Sequence, residues 1–451
     1  MPKYSPLVAR PIHSDFSLLA LHSELPERYP FLLQSSAIGP ELGRFDILFA
    51  FPGESLVLDG LQSLSGPCSD GTDFFDALDT WRENETCARV ESPLPFHGGW
   101  FLYLGYELAS QVEPRLVLQP DPLLPTAFAV RCPAAFVREH ASGSTFIVCE
   151  QEYEANVEQM LVDSERTLTR PELAKHSLQL NAVEEPPEYF LDAVVNAKSH
   201  VTAGDVYQAN LSRAWRAELD DSVTTAEIYA RLCNANPAPF AGLVRWQDKA
   251  IISSSPERLV EIRDRTISTR PIAGTRPRGA DDSADSALSD ELFGHPKERA
   301  EHVMLIDLER NDLGRVCKAG SVEVSEYMVL ESYAHVHHIV SNVRGVLQDD
   351  VTPGAAIRAV FPGGTITGCP KVRCMELIAE LEHGPRGAYT GSIGYLNHDG
   401  SLDLNILIRT MVMGNKQLEL RAGSGIVADS DPHAELAETR AKAKGLLMAL
   451  V

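Results

Sequence analysis

Short apolar runs separated by tight-turn residues alternate along the chain with longer segments of helical periodicity. The clearest hairpin signals are the turn at Ser142-Gly143 inside Thr126–Glu150 and the turn at His398-Asp399-Gly400 inside Tyr389–Met413. Strands joined by tight turns pair antiparallel, whereas parallel pairing needs a long crossover connection. We therefore predict an α+β fold with antiparallel sheets covered by helices, and not a doubly wound α/β fold.

A polar, proline-interrupted segment, Asn181–Tyr189, interrupts this pattern near the middle of the chain. Such composition is typical of a linker between folded units. We predict a strand-rich N-terminal region over residues 1–180 and a second region over 187–451. At 451 residues the chain can bury two cores or one large composite core.

Composition excludes several classes of partner. The formal net charge is −23, and an acidic surface disfavours binding to nucleic acid or to anionic membranes. No run approaches the roughly 20 apolar residues that a membrane-spanning helix needs. The first residues lack the apolar core of a signal peptide. The eight cysteines form no CxxC pair, so we predict reduced thiols and a cytoplasmic location.

The segment Arg421–Lys444 carries the most suggestive polar pattern. We predict that Gly423, Ser424 and Gly425 form a small-residue turn whose backbone N–H groups can approach an anion. Asp431 and Pro432 suit the N-cap and the first position of a following helix.

That helix would carry Glu435, Glu438 and Lys442 on one face. Glu301, in a predicted helix rich in apolar residues, would add a third carboxylate. Three carboxylates without Cys or His ligands suit Mg²⁺. A solvated helix face would show the same charge pattern, and a single glutamate is most often a surface residue.

A glycine-rich loop, Phe361–Lys371, leads into a predicted helix and could seat an anion at the helix N-terminus. It matches neither a Walker A loop nor a dinucleotide fingerprint. Arg409, which we predict to end a strand, and Tyr389 are candidate partners for carboxylates, because arginine binds them through two parallel hydrogen bonds.

Histidines and one glutamate are candidates for acid–base chemistry. His335, His337 and His338 lie in one predicted strand, where alternation places His338 on the opposite face from the other two. Glu257 follows an apolar run and is a candidate acid. Taken singly, each of these residues is more often structural.

Together these residues resemble the chorismate-utilising enzymes, which include anthranilate, aminodeoxychorismate, isochorismate and salicylate synthases. The resemblance spans about residue 189 to the C-terminus, is weaker before it, and rests on motifs in family order: RPIAGTRPRG (Arg270–Gly279), IDLERNDLGRV (Ile306–Val316), FPGGTITGCPKVRCMELI (Phe361–Ile378), GSIGYL (Gly391–Leu396), IRT (Ile408–Thr410) and AGSGIVADSDP (Ala422–Pro432). It implies two antiparallel sheets packed face to face with helices outside.

The resemblance also implies roles for individual residues. Metal ligands for Mg²⁺, which would hold a chorismate carboxylate, are Glu301, Glu435 and Glu438. Substrate-binding residues are Tyr389, Arg409, Lys442, Gly423, Ser424 and Gly425, with Ala273 beside the ring. Catalytic residues are Gln208, His338, Thr365 and Glu257, the last as the general acid on the departing C4 hydroxyl.

Gln208, in VYQANLS, marks the nucleophile that the resemblance implies. Members that add water carry a lysine at this position, and glutamine cannot serve as that base. Ammonia is therefore the expected nucleophile. The chain has no Gly-x-Cys-x-Gly elbow of a glutaminase, so a separate glutamine amidotransferase subunit is expected as a partner.

Within the family, GRFDILFA, Asn210, VHHIVS and GSIGYL favour an aminodeoxychorismate synthase, which would aminate chorismate for p-aminobenzoate and folate synthesis. The alternative is an anthranilate synthase component I, for which RPIAGTRPRG is the usual wording. Many aminodeoxychorismate synthases carry a lysine where Ala273 stands, and Cys369 replaces a commoner alanine.

Two further interpretations concern regulation. LLQSS, at Leu32–Ser36, resembles the serine-containing motif of the family's tryptophan pocket, so tryptophan is a possible ligand. A catalytically idle scaffold that binds chorismate or tryptophan and regulates a partner is the non-enzymatic alternative. Magnesium-dependent turnover of chorismate with an ammonium salt would exclude it.

Overall fold

The computed structural model describes residues 7–12, 16–37, 43–71, 73–85, 92–167, 179–220, 222–278, 282–294, 296–332 and 336–451. The helices in these ranges are α1 (Leu18–Glu24), α2 (Phe74–Asn84), α3 (Ala109–Val112), α4 (Ala155–Thr167), α5 (Pro187–Ala203), α6 (Thr225–Ala235), α7 (Asp282–Gly294), α8 (Pro296–Gly314), α9 (Pro353–Val360), α10 (Lys371–Leu381) and α11 (Pro432–Met448).

The described residues also form 23 strands. The first ten are β1 (Leu7–Ile12), β2 (Phe31–Gln34), β3 (Phe45–Ala50), β4 (Ser55–Leu58), β5 (Leu64–Ser65), β6 (Gly99–Leu104), β7 (Ala127–Cys132), β8 (Ala134–Glu139), β9 (Thr145–Glu150) and β10 (Val183–Glu184). The others are β11 (Gln208–Glu218), β12 (Phe240–Trp246), β13 (Lys249–Ser255), β14 (Arg258–Arg263), β15 (Thr266–Arg270), β16 (Ile272–Pro277), β17 (Glu323–Ser332), β18 (Val336–Val346), β19 (Gly368–Cys369), β20 (Ser392–Asn397), β21 (Leu402–Asn405), β22 (Thr410–Gly414) and β23 (Gln417–Ile426).

These strands form two large sheets. The first runs β1-β9-β8-β3-β2-β12-β13-β22-β23-β11-β10, with β19 paired to β11. The second runs β16-β18-β15-β14-β21-β20-β6-β7-β4-β5, with β17 paired to β18. Neighbouring strands in the described residues pair antiparallel, for example β11 with β23 and β20 with β21. The antiparallel prediction is confirmed.

Aromatic side chains between the sheets hold them face to face. Phe31 of the first sheet stacks on Phe101 of the second with ring centroids 4.1 Å apart, and Phe49 meets Phe101 edge to face. Helices α2 and α9 bury apolar residues against the outer face of the second sheet, and α6 and α11 do so against the first. These contacts confirm the predicted arrangement, with helices outside two packed sheets. Burying large apolar side chains on both faces of each sheet stabilises it.

Strands from both sequence regions share each sheet. β2 pairs with β12 in the first sheet, and β6 pairs with β20 in the second. The proline-interrupted segment itself contributes β10, which pairs with β11. Residues 1–180 and 187–451 therefore build one composite core.

Local end signals place several elements where the sequence predicts them. Gly204 ends α5 in a left-handed conformation, with φ 82°, and its N–H bonds back to the last turn. Asp431 caps α11 by accepting a hydrogen bond from the Ala434 N–H, and Pro432 begins the helix. These predictions are confirmed.

Two local predictions are wrong. Arg409 does not end a strand; it lies in the connection that carries the chain from β21 in one sheet to β22 in the other. Its φ of 54° is left-handed and interrupts the extended backbone. Gly423, Ser424 and Gly425 do not form a turn; they lie within β23, where β11 supplies a partner strand.

No helix in the described ranges is long and apolar enough to cross a membrane.

Candidate active site

The ends of β11 and β23 place Gln208 and the glycine-flanked serine side by side. Asn210 opposes Gly425, and Leu211 opposes Ser424. A Cβ at Gly425 would lie 2.2 Å from Gln208 Nε2, so the glycine leaves room for the end of the Gln208 side chain in its present position. The structure therefore brings Gln208 together with the predicted substrate-binding residues Gly423–Gly425.

The backbone of Gly423 lies beyond the end of the β22–β23 pairing. β22 pairs with β23 only as far as Leu420, and the Gly423 carbonyl accepts a hydrogen bond from Lys442 Nζ at 3.0 Å. Since alternate strand residues direct their N–H and C=O groups to the same side, the Gly425 amide faces that side too. Gly423 and Ser424 are buried, and the anion seat stays a prediction.

The glycine-rich loop folds against the beginning of β11. Cys369 and Gly368 pair with Gln208 and Ala209. Gly368 has a φ of 128°, and a Cβ there would lie 2.1 Å from the Gln208 carbonyl oxygen. A 3₁₀ turn at Gly364–Ile366 carries Thr365, whose carbonyl accepts a hydrogen bond from Asn210 Nδ2 at 3.5 Å. The loop therefore places Thr365 beside β11.

Glu257 follows β13 and is buried, with 5% of its surface exposed. The pKa of its carboxyl is raised to about 7, chiefly by burial. The nearby Glu309 also acts to raise this pKa, whereas Thr365 and Lys442 act to lower it. A carboxyl with this pKa holds a proton near neutrality and can donate it. The predicted general acid thus has a suitable environment.

The Thr365 hydroxyl faces this carboxyl without saturating it. It lowers the Glu257 pKa, yet neither Glu257 Oε1 nor Thr365 Oγ1 makes a well-aligned hydrogen bond. Both atoms keep hydrogen-bonding capacity for a substrate group.

Tyr389, Arg409 and Lys442 meet around Gly423. A Cβ at Gly423 would lie 2.8 Å from the Tyr389 hydroxyl oxygen. Arg409 Nη1 donates to the Lys442 carbonyl oxygen. Burial lowers the pKa of the Arg409 guanidinium, and Tyr389 and Glu438 act on it electrostatically. The three predicted carboxylate partners therefore surround one point at the strand edge.

His338 lies on β18 opposite Glu331 of β17. Burial lowers its pKa to about 4, Glu331 raises it and Arg409 lowers it, so the ring is neutral at pH 7 and lies within electrostatic reach of Arg409. His337 faces other groups, with its ring nitrogens 2.7 Å from Ser332 Oγ and 2.9 Å from Asp285 Oδ1. His335 lies outside the described residues.

Ala273 lies on β16 opposite Ile339, next to the Gly274 backbone that contacts His338. It has no titratable group, and its methyl side chain is half-buried. The structure thus places Ala273 beside the histidine strand, and its role at the substrate stays a prediction.

The three predicted metal ligands lie on two helices. Glu435 is buried in the first turn of α11, and Glu438 pairs with Lys442 Nζ at 2.8 Å. Glu301 is half-buried on α8. Within the ranges that the structure describes, no group of three or more His, Cys, Asp or Glu side chains forms a metal site. Carboxylate donors suit Mg²⁺ chemically, and the magnesium site stays a prediction.

Unsatisfied buried polar atoms converge at this place. Four such atoms lie on the strands and loops just described: Gln208 Oε1, Asn210 Oδ1, Glu257 Oε1 and Thr365 Oγ1. Ser424 Oγ is also without a partner among the described residues, but Ser424 opposes Leu211, so its side chain lies on the other face of β23 from Gln208 and Asn210. Buried polar atoms are nearly always hydrogen-bonded in folded proteins. The four atoms therefore make this place a candidate ligand site.

Sequence reasoning missed two residues of this site. Asn210 served only to compare family members, although its amide bonds the glycine-rich loop. Glu309 is buried on α8, and its pKa is raised to about 7 by burial and by Asp312. An acidic residue on the apolar face of a helix was the available signal, since Leu305, Ile306 and Leu308 surround it in sequence.

A second cavity, of about 580 Å³, lies against the N-terminal strands. Leu33, Gln34 and Ser35 of the LLQSS segment line it together with Tyr395 and Asn405. Its volume suits a small-molecule ligand. The predicted tryptophan pocket thus coincides with a cavity, and tryptophan as its ligand stays a prediction.

A carboxyl with a raised pKa, the cationic Arg409 and Lys442 side chains and buried polar atoms without partners lie on the elements around β11 and β23. The family of chorismate binding enzymes matches residues 49–448, and the chain belongs to this family. It is a chorismate-utilising enzyme.

Similar proteins include both kinds of aminating synthase. The anthranilate synthase component I-like protein of Synechocystis is 44% identical over 80% of this chain and 74% of its own length. Aminodeoxychorismate synthase component 1 of Bacillus subtilis is 41% identical over 83% and 81%. The crystal structure of anthranilate synthase component I from Streptococcus pneumoniae is 32% identical, with a TM-score of 0.80 over 90% of this chain and 92% of that one.

Proposed function

We propose that the chain is the synthase subunit of an aminodeoxychorismate synthase. It would replace the C4 hydroxyl of chorismate with ammonia, giving 4-amino-4-deoxychorismate and water, for p-aminobenzoate and folate synthesis. The observation that carries the ammonia step is the pair of buried amide oxygens, Gln208 Oε1 and Asn210 Oδ1, that have no hydrogen-bond donor. Ammonia brings N–H donors, and the amides offer it acceptors without a proton-accepting base.

Glu257 would protonate the departing hydroxyl, which is a poor leaving group until it carries the proton. Tyr389, Arg409 and Lys442 would hold substrate carboxylates at the edge of β23. The electrostatic contacts among these residues support one binding position for a substrate with two carboxylates.

Mg²⁺ would be held by Glu301, Glu435 and Glu438. When bound, it would orient a substrate carboxylate and neutralise its charge. Glu438 is paired with Lys442 Nζ, so the protein's own part is to offer a carboxylate whose present counter-ion is a lysine.

Glu438→Gln is expected to abolish amination, because it removes a negatively charged metal ligand while keeping the shape of the side chain. Activity should be measured across a magnesium titration. Glu419→Gln is the matched control, since Glu419 is a partly exposed glutamate that forms an ion pair with Arg216. Wild-type turnover in Glu438→Gln at low magnesium would contradict the metal assignment.

Gln208→Lys is expected to let the enzyme add water to chorismate, because burial lowers the pKa of a lysine and leaves it able to take a proton. Isochorismate should form without ammonium salt and be detected by chromatography. Gln417→Lys is the control, because it places a lysine at the exposed first residue of β23, away from the site. Equal isochorismate in both variants would refute the assignment of Gln208.

Anthranilate synthase is the second candidate, favoured by Ala273 in RPIAGTRPRG. A coupled assay separates the two: chorismate, Mg²⁺ and ammonium at high pH, with a lyase that cleaves aminodeoxychorismate. We expect p-aminobenzoate only when the lyase is present. Release of anthranilate without the lyase would overturn the first proposal.

The ammonia source would be a separate glutamine amidotransferase subunit. The chain carries no Gly-x-Cys-x-Gly elbow. Glutamine alone is therefore expected to support no amination, whereas ammonium salt supports it.

A further inference from the structure

A buried ion pair, Glu382 with Arg386, lies behind the site and takes no part in the chemistry above. The Arg386 and Glu382 side chains are 1% and 3% exposed, and Arg386 Nη2 lies 2.6 Å from Glu382 Oε1. Arg386 Nε lies 3.0 Å from Glu382 Oε2. Two parallel hydrogen bonds fix the plane of the guanidinium group.

The remaining N–H groups of Arg386 reach three segments that carry site residues. Nη1 donates to the Ile366 carbonyl at 3.1 Å, next to Thr365 in the glycine-rich loop. Nη2 donates to the Asn210 carbonyl at 2.7 Å. Nη1 also donates to Thr390 Oγ1 at 3.3 Å, next to Tyr389.

Glu382 extends the same network to the strands. Its Oε1 accepts hydrogen bonds from the Ser212 N–H at 2.8 Å and from Ser212 Oγ at 3.0 Å. Its Oε2 accepts from Arg421 Nη2 at 3.1 Å. Ser212 lies two residues after Asn210, and Arg421 lies two residues before Gly423.

A second buried carboxylate fixes the turn that carries Arg386. Glu107 Oε1 accepts from the Arg386 N–H at 2.9 Å and from the Gly387 N–H at 3.2 Å. The guanidinium also lies over the ring of Tyr106, 4.8 Å from its centroid. The Glu107 carboxylate therefore fixes the backbone of this turn, and the Tyr106 ring packs against the guanidinium group.

We propose that Glu382 and Arg386 are the positioning pair of the chorismate site, which set Thr365, Asn210 and Tyr389 relative to one another. Neither residue needs to touch substrate. The pair acts through backbone carbonyls, which only a planar group with several fixed donors can reach together. The inference rests on the proposed function only in that its test measures chorismate turnover.

Arg386→Lys tests this proposal, because lysine keeps the positive charge but lacks the planar guanidinium group with its fixed N–H donors. We expect kcat/KM for chorismate to fall by about 100-fold, the scale of a 1 Å misplacement. Arg131→Lys is the matched control: Arg131 is also buried, pairs with Glu150 at 2.5 Å and lies over the ring of Trp100. Both variants should lower the melting temperature, and only Arg386→Lys should change catalysis.

Two readouts separate positioning from plain destabilisation. Loss of folded protein lowers kcat and leaves KM unchanged, whereas a displaced Tyr389 raises KM. A displaced Thr365 no longer lowers the Glu257 pKa. The alkaline limb of the kcat–pH profile should therefore move to higher pH. Glu382→Gln should give the same changes if Arg386→Lys does not fold.

Each outcome has one meaning. Wild-type KM and pH profile in folded Arg386→Lys and Glu382→Gln would overturn the positioning role. Equal changes in Arg131→Lys would also overturn it. Absence of chorismate amination in the wild-type chain would instead refute the proposed function and leave the hydrogen-bond network unexplained.

Discussion

Glu257→Gln is expected to lower kcat for chorismate amination by about 10²- to 10⁴-fold, the usual contribution of a general acid. Glutamine keeps the shape and the hydrogen-bonding capacity of the side chain but holds no transferable proton. Because Glu257 is buried and raised in pKa, its replacement by a neutral amide should leave the melting temperature close to that of the wild type.

The control is Glu227→Gln, a mostly buried glutamate on α6 that pairs with Arg231 at 3.2 Å. It should retain wild-type kcat. A Glu257→Gln enzyme with more than one-tenth of wild-type kcat would show that another group protonates the leaving hydroxyl.

The pH profile follows from the same carboxyl. Since the Glu257 pKa is raised from 4.5 to about 7, the proton-donating form exists below about pH 7 and is lost as the pH rises through that value. At a constant concentration of free ammonia, kcat should therefore fall on the alkaline side. Holding free ammonia constant matters, because its own fraction rises with pH and would mask this limb. A profile that stays flat across neutrality would contradict the acid assignment.

Gly425→Ala carries the second large effect. The added methyl group would lie 2.2 Å from Gln208 Nε2, a distance at which one of the two must move. Displacing Gln208 by about 1 Å should lower kcat with ammonia by about 100-fold. Stability should change little, because the atom that must move is the far end of a flexible side chain.

Gly71→Ala is the matched control, because a Cβ there would meet no atom within 4 Å. It should retain activity and stability. If Gly425→Ala turned over chorismate and ammonia like the wild type, the close approach of Gln208 to β23 would have no catalytic importance.

Elements with local signals could be predicted from the sequence. Gly204 ends α5 and Asp431 caps α11 because both act within one helical turn. The turn at 398–400 joins β20 to β21 for the same reason. These features depend on residues only a few positions apart.

Features set by distant partners could not be predicted. Gly423–Gly425 is a strand because β11, about 200 residues earlier, pairs with it. Arg409 leaves one sheet for the other, a path that no local pattern records. Glu257 owes its pKa to tertiary burial, and Arg386 bonds the backbone carbonyls of two distant segments, at Ile366 and Asn210.

The site residues themselves came from the family resemblance more than from spacing. Spacing alone left Glu435, Glu438 and Lys442 compatible with a solvated helix face. The contacts of Lys442 with Arg409 and Gly423 need the fold. The choice between the two ammonia-using functions depends on residues such as Asn210 and Ala273, whereas Gln208 separates both from the members that add water.

We propose above all that this enzyme replaces the C4 hydroxyl of chorismate with ammonia and keeps the enolpyruvyl group. The most direct measurement incubates the purified chain with chorismate, Mg²⁺ and isotopically labelled ammonium, and identifies the first product by mass spectrometry. We predict an aminated product that carries one labelled nitrogen and keeps the enolpyruvyl group, with no product in the absence of ammonium. Unlabelled isochorismate as the main product, or labelled anthranilate free of the enolpyruvyl group, would contradict the account.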